Sequence, residues 1–166
     1  TFTVPTDLTA KYKKGTKIKL TQTTAKYFYV ASVSYSAPNT TVTVTGGTDY
    51  TLANAAITLP FYSYAATAEG FPHWFNYAVT VTSGTGTITS YTVNVAVFSV
   101  TGLTVTALVQ ITITNNGTGA TDIRFTLPIA CSPSLVNGSG REDALTGNML
   151  QVAVASPTLG RVNAYT

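Results

Sequence analysis

Few side chains among these 166 residues have the reactivity that catalysis needs, and their spacing does not suit it. His73 is the single histidine, set in Pro72-His73-Trp74. A serine or cysteine nucleophile needs a histidine held in orientation by a further group. One histidine in a linker reads instead as a packed or solvent-facing residue beside a buried tryptophan. Cys131 is the single cysteine, which excludes an intrachain disulfide and a cysteine-based zinc site. Within Pro128-Ile129-Ala130-Cys131 it reads as a small buried apolar group. Glycoside hydrolysis asks for two carboxylates roughly 5 to 9.5 Å apart. Glu142 and Asp143 are adjacent and would point to opposite faces of a strand, and nothing marks Glu69, Asp49 or Asp122 as a pair. No glycine loop with the lysine and hydroxyl of a phosphate cradle is present. The expectation is a non-enzyme with no cofactor and no metal ligands.

Binding chemistry has more material. Six of the nine basic residues, Lys11, Lys13, Lys14, Lys17, Lys19 and Lys26, fall in one early stretch. An anionic surface is one target for such a cluster, with Lys11, Lys13 and Lys14 as the contact. The reading with more weight is a hairpin whose solvent face is lysine. Ile18 and Leu20 alternate with Lys17 and Lys19, and a charged edge resists pairing with a stranger. No arginine and no regular aromatic interleaving accompany these lysines, so nucleic acid is not an expected partner. Ten tyrosines and one tryptophan supply the other chemistry. Tyr62, Tyr64 and Trp74 are candidates for stacking on a saccharide, against the reading that aromatic rings fill strand cores and intersubunit contacts.

The elements that must position these residues are strands. Only 9 % of residues are charged, against roughly 25 % in an ordinary soluble domain. Thr, Val and Tyr dominate, and these types favour strands. No apolar stretch reaches the 18 or so residues of a membrane span. Strand patterns cover residues 1–4, 16–20 and 26–35, where Tyr27, Tyr29 and Tyr35 would share one face. Residues 40–45 alternate Thr and Val without a break. Residues 49–56 are the place for a helical turn. Between Pro60 and Pro72 the alternation lapses, which sets a boundary. Strand patterns resume at 75–83, 87–100, 103–114 and 121–129. Asn115-Asn116-Gly117 is the strongest hairpin signal, with 121–129 as partner strand. Residues 132–140 read as a loop, 141–147 as a connector, and 148–155 and 161–166 as closing strands. In the long strand, Tyr91, Val93, Val95 and Val97 share parity and are expected inside or at a subunit seam, as are Val109, Ile111 and Ile113. The expected architecture is all-β, two small β-modules in series: a module over residues 1–60, a linker over 61–74, and an antiparallel β-sandwich over 75–166.

Particular strings carry a family resemblance. Phe2-Thr3-Val4-Pro5, the run from Ala10 to Lys14, Gly15, and Lys17 to Leu20 resemble the N-terminal β-module of tailed-bacteriophage tail-fibre proteins. There, a Tyr-bearing strand (here 27–34) and a Thr/Val strand (here 40–45) follow. The second half is similar to a β-sandwich module of phage tail and fibre proteins, in residues 87–95, 109–120, Leu127-Pro128, and Gly140-Arg141-Glu142 leading into Thr146-Gly147-Asn148-Met149-Leu150. Two features depart from that pattern: no basic residue stands near Val97-Phe98-Ser99, and the pattern continues past Thr166 into a further Gly- and Tyr-containing strand. The resemblance implies a virion protein made in the host cytoplasm, a homotrimer, contacts with other virion proteins, and attachment to a host-surface glycan or protein. A capsid-decorating or tail-adaptor protein without receptor binding is the alternative. The resemblance transfers no catalytic residues.

Overall fold

The structure, a computed structural model, describes residues 1–132, 137–143 and 147–164. The protein is all-β, built of several antiparallel sheets. It packs as two units, Thr1–Tyr77 with Val97–Ala107 and Ala78–Ala96 with Leu108–Thr166.

In the first unit, β1 (Phe2–Pro5), β2 (Lys17–Gln22), β3 (Thr24–Ser36), β4 (Asn39–Thr45) and β5 (Thr58–Ser63) form one sheet in the order β1-β4-β3-β2-β5. Period-2 alternation directs Ile18, Leu20, Phe28, Val30 and Val42 to one face, where all five are buried. Each such side chain contributes roughly 1.5–3 kcal/mol on burial. The opposite face bears Lys17 and Lys19, whose cross-strand partners are Tyr29 and Tyr27. Sequence alternation marks that face as wet, yet around Lys17 and Tyr29 it is covered. Phe71, Phe75 and Phe98 lie with their ring centroids 5.1, 5.1 and 6.2 Å from that of Tyr29. Phe75 belongs to the two-residue strand β6 (Phe75–Asn76), which pairs Phe75 with Phe98 of β8 (Ser90–Thr101).

Residues 49–56 form no helical turn. Gly46 accepts the amides of Asp49 and Tyr50 in a tight turn, and the segment after it is held by side chains. The Asp49 carboxylate accepts both the backbone and the side-chain amide of Asn76, each at 2.9 Å. Buried Gln22 donates to the carbonyls of Ala53 and Ala55 and accepts the amide of Ala53, at 3.0, 2.9 and 3.0 Å. Residues 61–63, expected in a linker, finish β5 on the edge of β2. Tyr35 leaves the face of Tyr27 and Tyr29, because a bulge between Val30 and Ser32 shifts the register and sets Tyr35 opposite Thr40.

In the second unit, β7 (Val81–Thr85), β10 (Ala120–Thr126), β11 (Gly138–Arg141), β12 (Met149–Ser156) and β13 (Leu159–Ala164) form a sheet in the order β11-β12-β13-β10-β7. Among the described residues, Val81 and Phe125 of this sheet are buried, as is Ile88 between β7 and β8. The strand expected over 75–83 is split into β6 and β7, and Gly84 and Thr85 extend β7 where a turn was expected. Residues 138–140, expected in a loop, belong to β11; residues 133–136 of that loop and 144–146 of the connector lie outside the described residues.

The Asn115-Asn116-Gly117 turn forms, with Gly117 at φ 57°, but it closes no hairpin. β9 (Thr104–Asn115) neighbours β8, whereas β10 pairs with β13 and β7. The turn spends its hydrogen bonds on residues 87–89 instead: Thr89 N–H donates to Asn115, Thr118 N–H to Thr87, and Thr87 N–H to the Thr118 hydroxyl. Thr121, at φ 72° beside a bulge, then directs the chain into the other sheet. Val109, Ile111 and Ile113 are half-buried between exposed neighbours, as their parity predicts. Val95 is 40 % exposed, so it does not join an interior set within the chain. Tyr91, Val93 and Val97 are half-buried as their parity predicts, and from Ala96 to Val100 both faces of β8 are covered, with Phe98, Ser99 and Val100 buried.

Candidate functional site

The stacking candidates Tyr62 and Tyr64 stand on and just after β5. This strand is one edge of the sheet, and its side chains are exposed through Tyr62. The two rings lie 5.5 Å apart at 63°, and Tyr12 meets Tyr62 at 6.4 Å and 62°. Lys11 joins them: its Nζ sits 4.7 Å from the Tyr62 ring centroid, and its carbonyl accepts the Tyr64 hydroxyl at 2.6 Å. Lys11, Tyr62 and Tyr64 therefore form one cluster, with rings inclined to each other. Inclined rings grip an edge or a corner of a ligand better than they support a flat sugar face.

Trp74 stands apart from that cluster. It is 36 % exposed, not buried, and its ring partner is His73 at 5.3 Å and 88°. Lys13 and Lys14 are exposed on the turn before β2, free to meet an anionic surface. Cys131 is half-buried, its thiol 3.4 Å from the Pro157 carbonyl. Among the described residues no three His, Cys, Asp or Glu side chains converge as metal ligands, and the ion pair is Arg124 with Asp122 at 2.9 Å. That guanidinium holds the Asp122 carboxyl below the usual carboxylate range.

Lys17 overturns the expectation of a solvent-facing lysine. Only 6 % exposed, it donates to the Ala65 carbonyl at 2.9 Å, and its Nζ lies 5.6 and 5.8 Å from the ring centroids of Tyr29 and Phe71. Burial pushes its amine below the ordinary lysine value. Lys19 keeps the same relation to Tyr27 at 5.7 Å while staying exposed. The aromatic partners that the lysines lack along the chain are thus supplied across strands. Lys17 lines a cavity of about 60 Å³ with Tyr29, Phe71, His73 and Ser99. Phe71 and Ser99 carry no chemical signature in the sequence, and only folding brings them to Lys17. A larger open depression of about 280 Å³, lined by Phe28, Val44, Tyr50 and Leu52 among others, has no charged side chain in its wall.

No family model, no curated protein and no solved structure matches the chain.

Proposed function

We propose that the chain is a non-enzymatic fibre protein of a tailed-bacteriophage virion, homotrimeric, that brings the particle to the host surface by multivalent contact. The finer architecture belongs to the same reading: two β-modules, the second an antiparallel β-sandwich.

The observation that carries assembly is the apolar outside of uncharged strands. Leu108 on β9 is 53 % exposed, Leu59 and Phe61 on β5 are 66 % and 59 %, and Leu103 in the β8–β9 turn is 83 %. Neither β8 nor β9 contains a charged residue. Strands of this kind are normally covered by a partner or guarded by lysine and proline. Closed symmetry is the usual way to cover them; the trimer itself comes from the fibre resemblance. The exposed Tyr62–Tyr64 pair with Lys11 is the surface assigned to the host ligand.

A capsid-decorating or tail-adaptor role has its own support. The Tyr64 hydroxyl and the Lys11 ammonium are both engaged within the cluster, as they would be in a surface built for rigidity. One pair of measurements separates the two readings. Light scattering across the micromolar range should report a trimer, and the purified chain should block adsorption of the phage that carries it. A trimer without blocking selects the adaptor reading, and a monomer removes the assembly claim. Release of reducing ends from host polysaccharide would remove the non-enzymatic claim.

A further inference from the structure

Lys17 is an interior cation without a counter-charge. No carboxylate approaches it among the described residues, and one of its three N–H donors is used, on Ala65. Buried charges in folded proteins are paired or bound to an ion, because desolvation otherwise opposes them. The Tyr29 and Phe71 ring faces offset part of that cost but accept no proton. The remaining donors have the cavity to point into. Ser99, 9 % exposed, lines the same cavity, and its hydroxyl makes no hydrogen bond among the described residues. His73, exposed to solvent, also lines it, with Trp74 as its ring contact.

We propose that this cavity is an anion site that takes a carboxylate, gripped by the Lys17 ammonium and the Ser99 hydroxyl, with the His73 imidazole at the mouth. One lysine, with the Ser99 hydroxyl and the exposed Thr67 on the same lining, matches a planar, singly charged group; a phosphate dianion would ask for a second fixed cation, and the lining holds Lys17 alone of that kind. The cavity, at about 60 Å³, accepts a head group and not a sugar ring. The carboxylate therefore arrives either as a small free acid or as the projecting group of an acidic sugar. This inference stands independently of the fibre reading.

The test is a titration of the full chain, carrying lysine labelled at Cε, with sodium acetate and separately with sodium glucuronate. Sodium chloride replaces each salt to keep ionic strength constant. Acetate should shift the Lys17 signal saturably, with a midpoint in the millimolar range, roughly −4 kcal/mol of binding. Ser99→Ala should weaken it several-fold, and Lys17→Met should abolish the saturable shift elsewhere in the cavity, read at the His73 ring. Saturation by glucuronate as well identifies a sugar acid; saturation by acetate alone identifies a small acid. A shift that chloride reproduces, that fails to saturate, or that Ser99→Ala leaves unchanged overturns the site. Ser99→Ala keeps the question decidable even if the Lys17 variant does not fold.

Discussion

Phe125 and Gly160 are cross-strand partners, and a β-carbon at Gly160 would stand 2.7 Å from Cζ of the Phe125 ring. The ring fills the space that any other residue on β13 would claim. Gly160→Ala should therefore push the ring from its rotamer or part β10 from β13, at a cost of about 1–3 kcal/mol. The readout is a lower urea midpoint with an unchanged slope. Phe125→Leu in the same chain should recover part of the loss, because the two sites couple. Simply additive losses would show that the ring is not the obstacle.

Leu59 holds a left-handed backbone, φ 46°, at a bulge in β5 while its side chain is 66 % exposed. That conformation costs an L-residue roughly 1–2 kcal/mol, and little packing offsets it. Leu59→Gly should leave stability equal or raised by up to about 1 kcal/mol, after the added freedom of glycine in the unfolded chain. Leu59→Val should lower it. Thermal midpoints in the order Gly, Leu, Val check this, and a valine variant above wild type contradicts it.

Val95 and Phe98 lie on one strand with opposite fates, 40 % and 0 % exposed. Val95→Asp should leave the far-ultraviolet spectrum intact and shift stability by no more than about 0.5 kcal/mol. If Val95 lines a subunit seam, particle mass will fall in light scattering. Phe98→Asp should unfold the first unit, since a carboxylate without a partner would enter its ring cluster. Loss of the β signal with Val95→Asp would return that residue to the interior.

The Tyr77 hydroxyl is buried and finds no hydrogen-bond partner among the described residues, and burial pushes its pKa up to about 12. An unfolded tyrosine titrates near 10. From about pH 10 upward the unfolded chain has lost a proton that the fold still holds, so stability falls as pH rises towards 12. Below pH 10 the proton is present in both states and this contribution is constant. Tyr77→Phe removes the orphaned hydroxyl and should gain about 1 kcal/mol at pH 7. Its advantage should widen in urea unfolding between pH 9 and 11.5. A gap that does not change with pH would assign the alkaline loss to other groups.

Strands were readable where one pattern needs no partner to be seen. The Thr/Val alternation of β4 and the Val109, Ile111, Ile113 parity of β9 are local, and both appear in the fold. Bulges are not local in that sense. One extra residue near Ala31 turns Tyr35 to the other face, and no composition marks it. The Asn-Asn-Gly turn shows that turn chemistry fixes a bend, while long-range hydrogen bonds decide which strand lies beside it. For the site, Tyr62, Tyr64 and Lys11 were legible as residue types, and β5 pairing with β2 brings them together. Lys17 reads as solvent-facing in the sequence because its covering residues, Phe71 and Ser99, come from segments that carry no sign of their destination.

The first unit is not one stretch of chain: Val97–Ala107 returns to it after the second unit has begun. A gene exchange that joined two ancestors between the segments coding for Trp74 and Phe75 would therefore hand each descendant a broken inheritance. Tyr29 and Phe71 would arrive with a Phe75 and a Phe98 selected against other rings. Shuffling of such proteins can succeed only where both crossover products keep that hairpin tip matched to its aromatic neighbours, so in any lineage of this chain the two segments should be found to travel together.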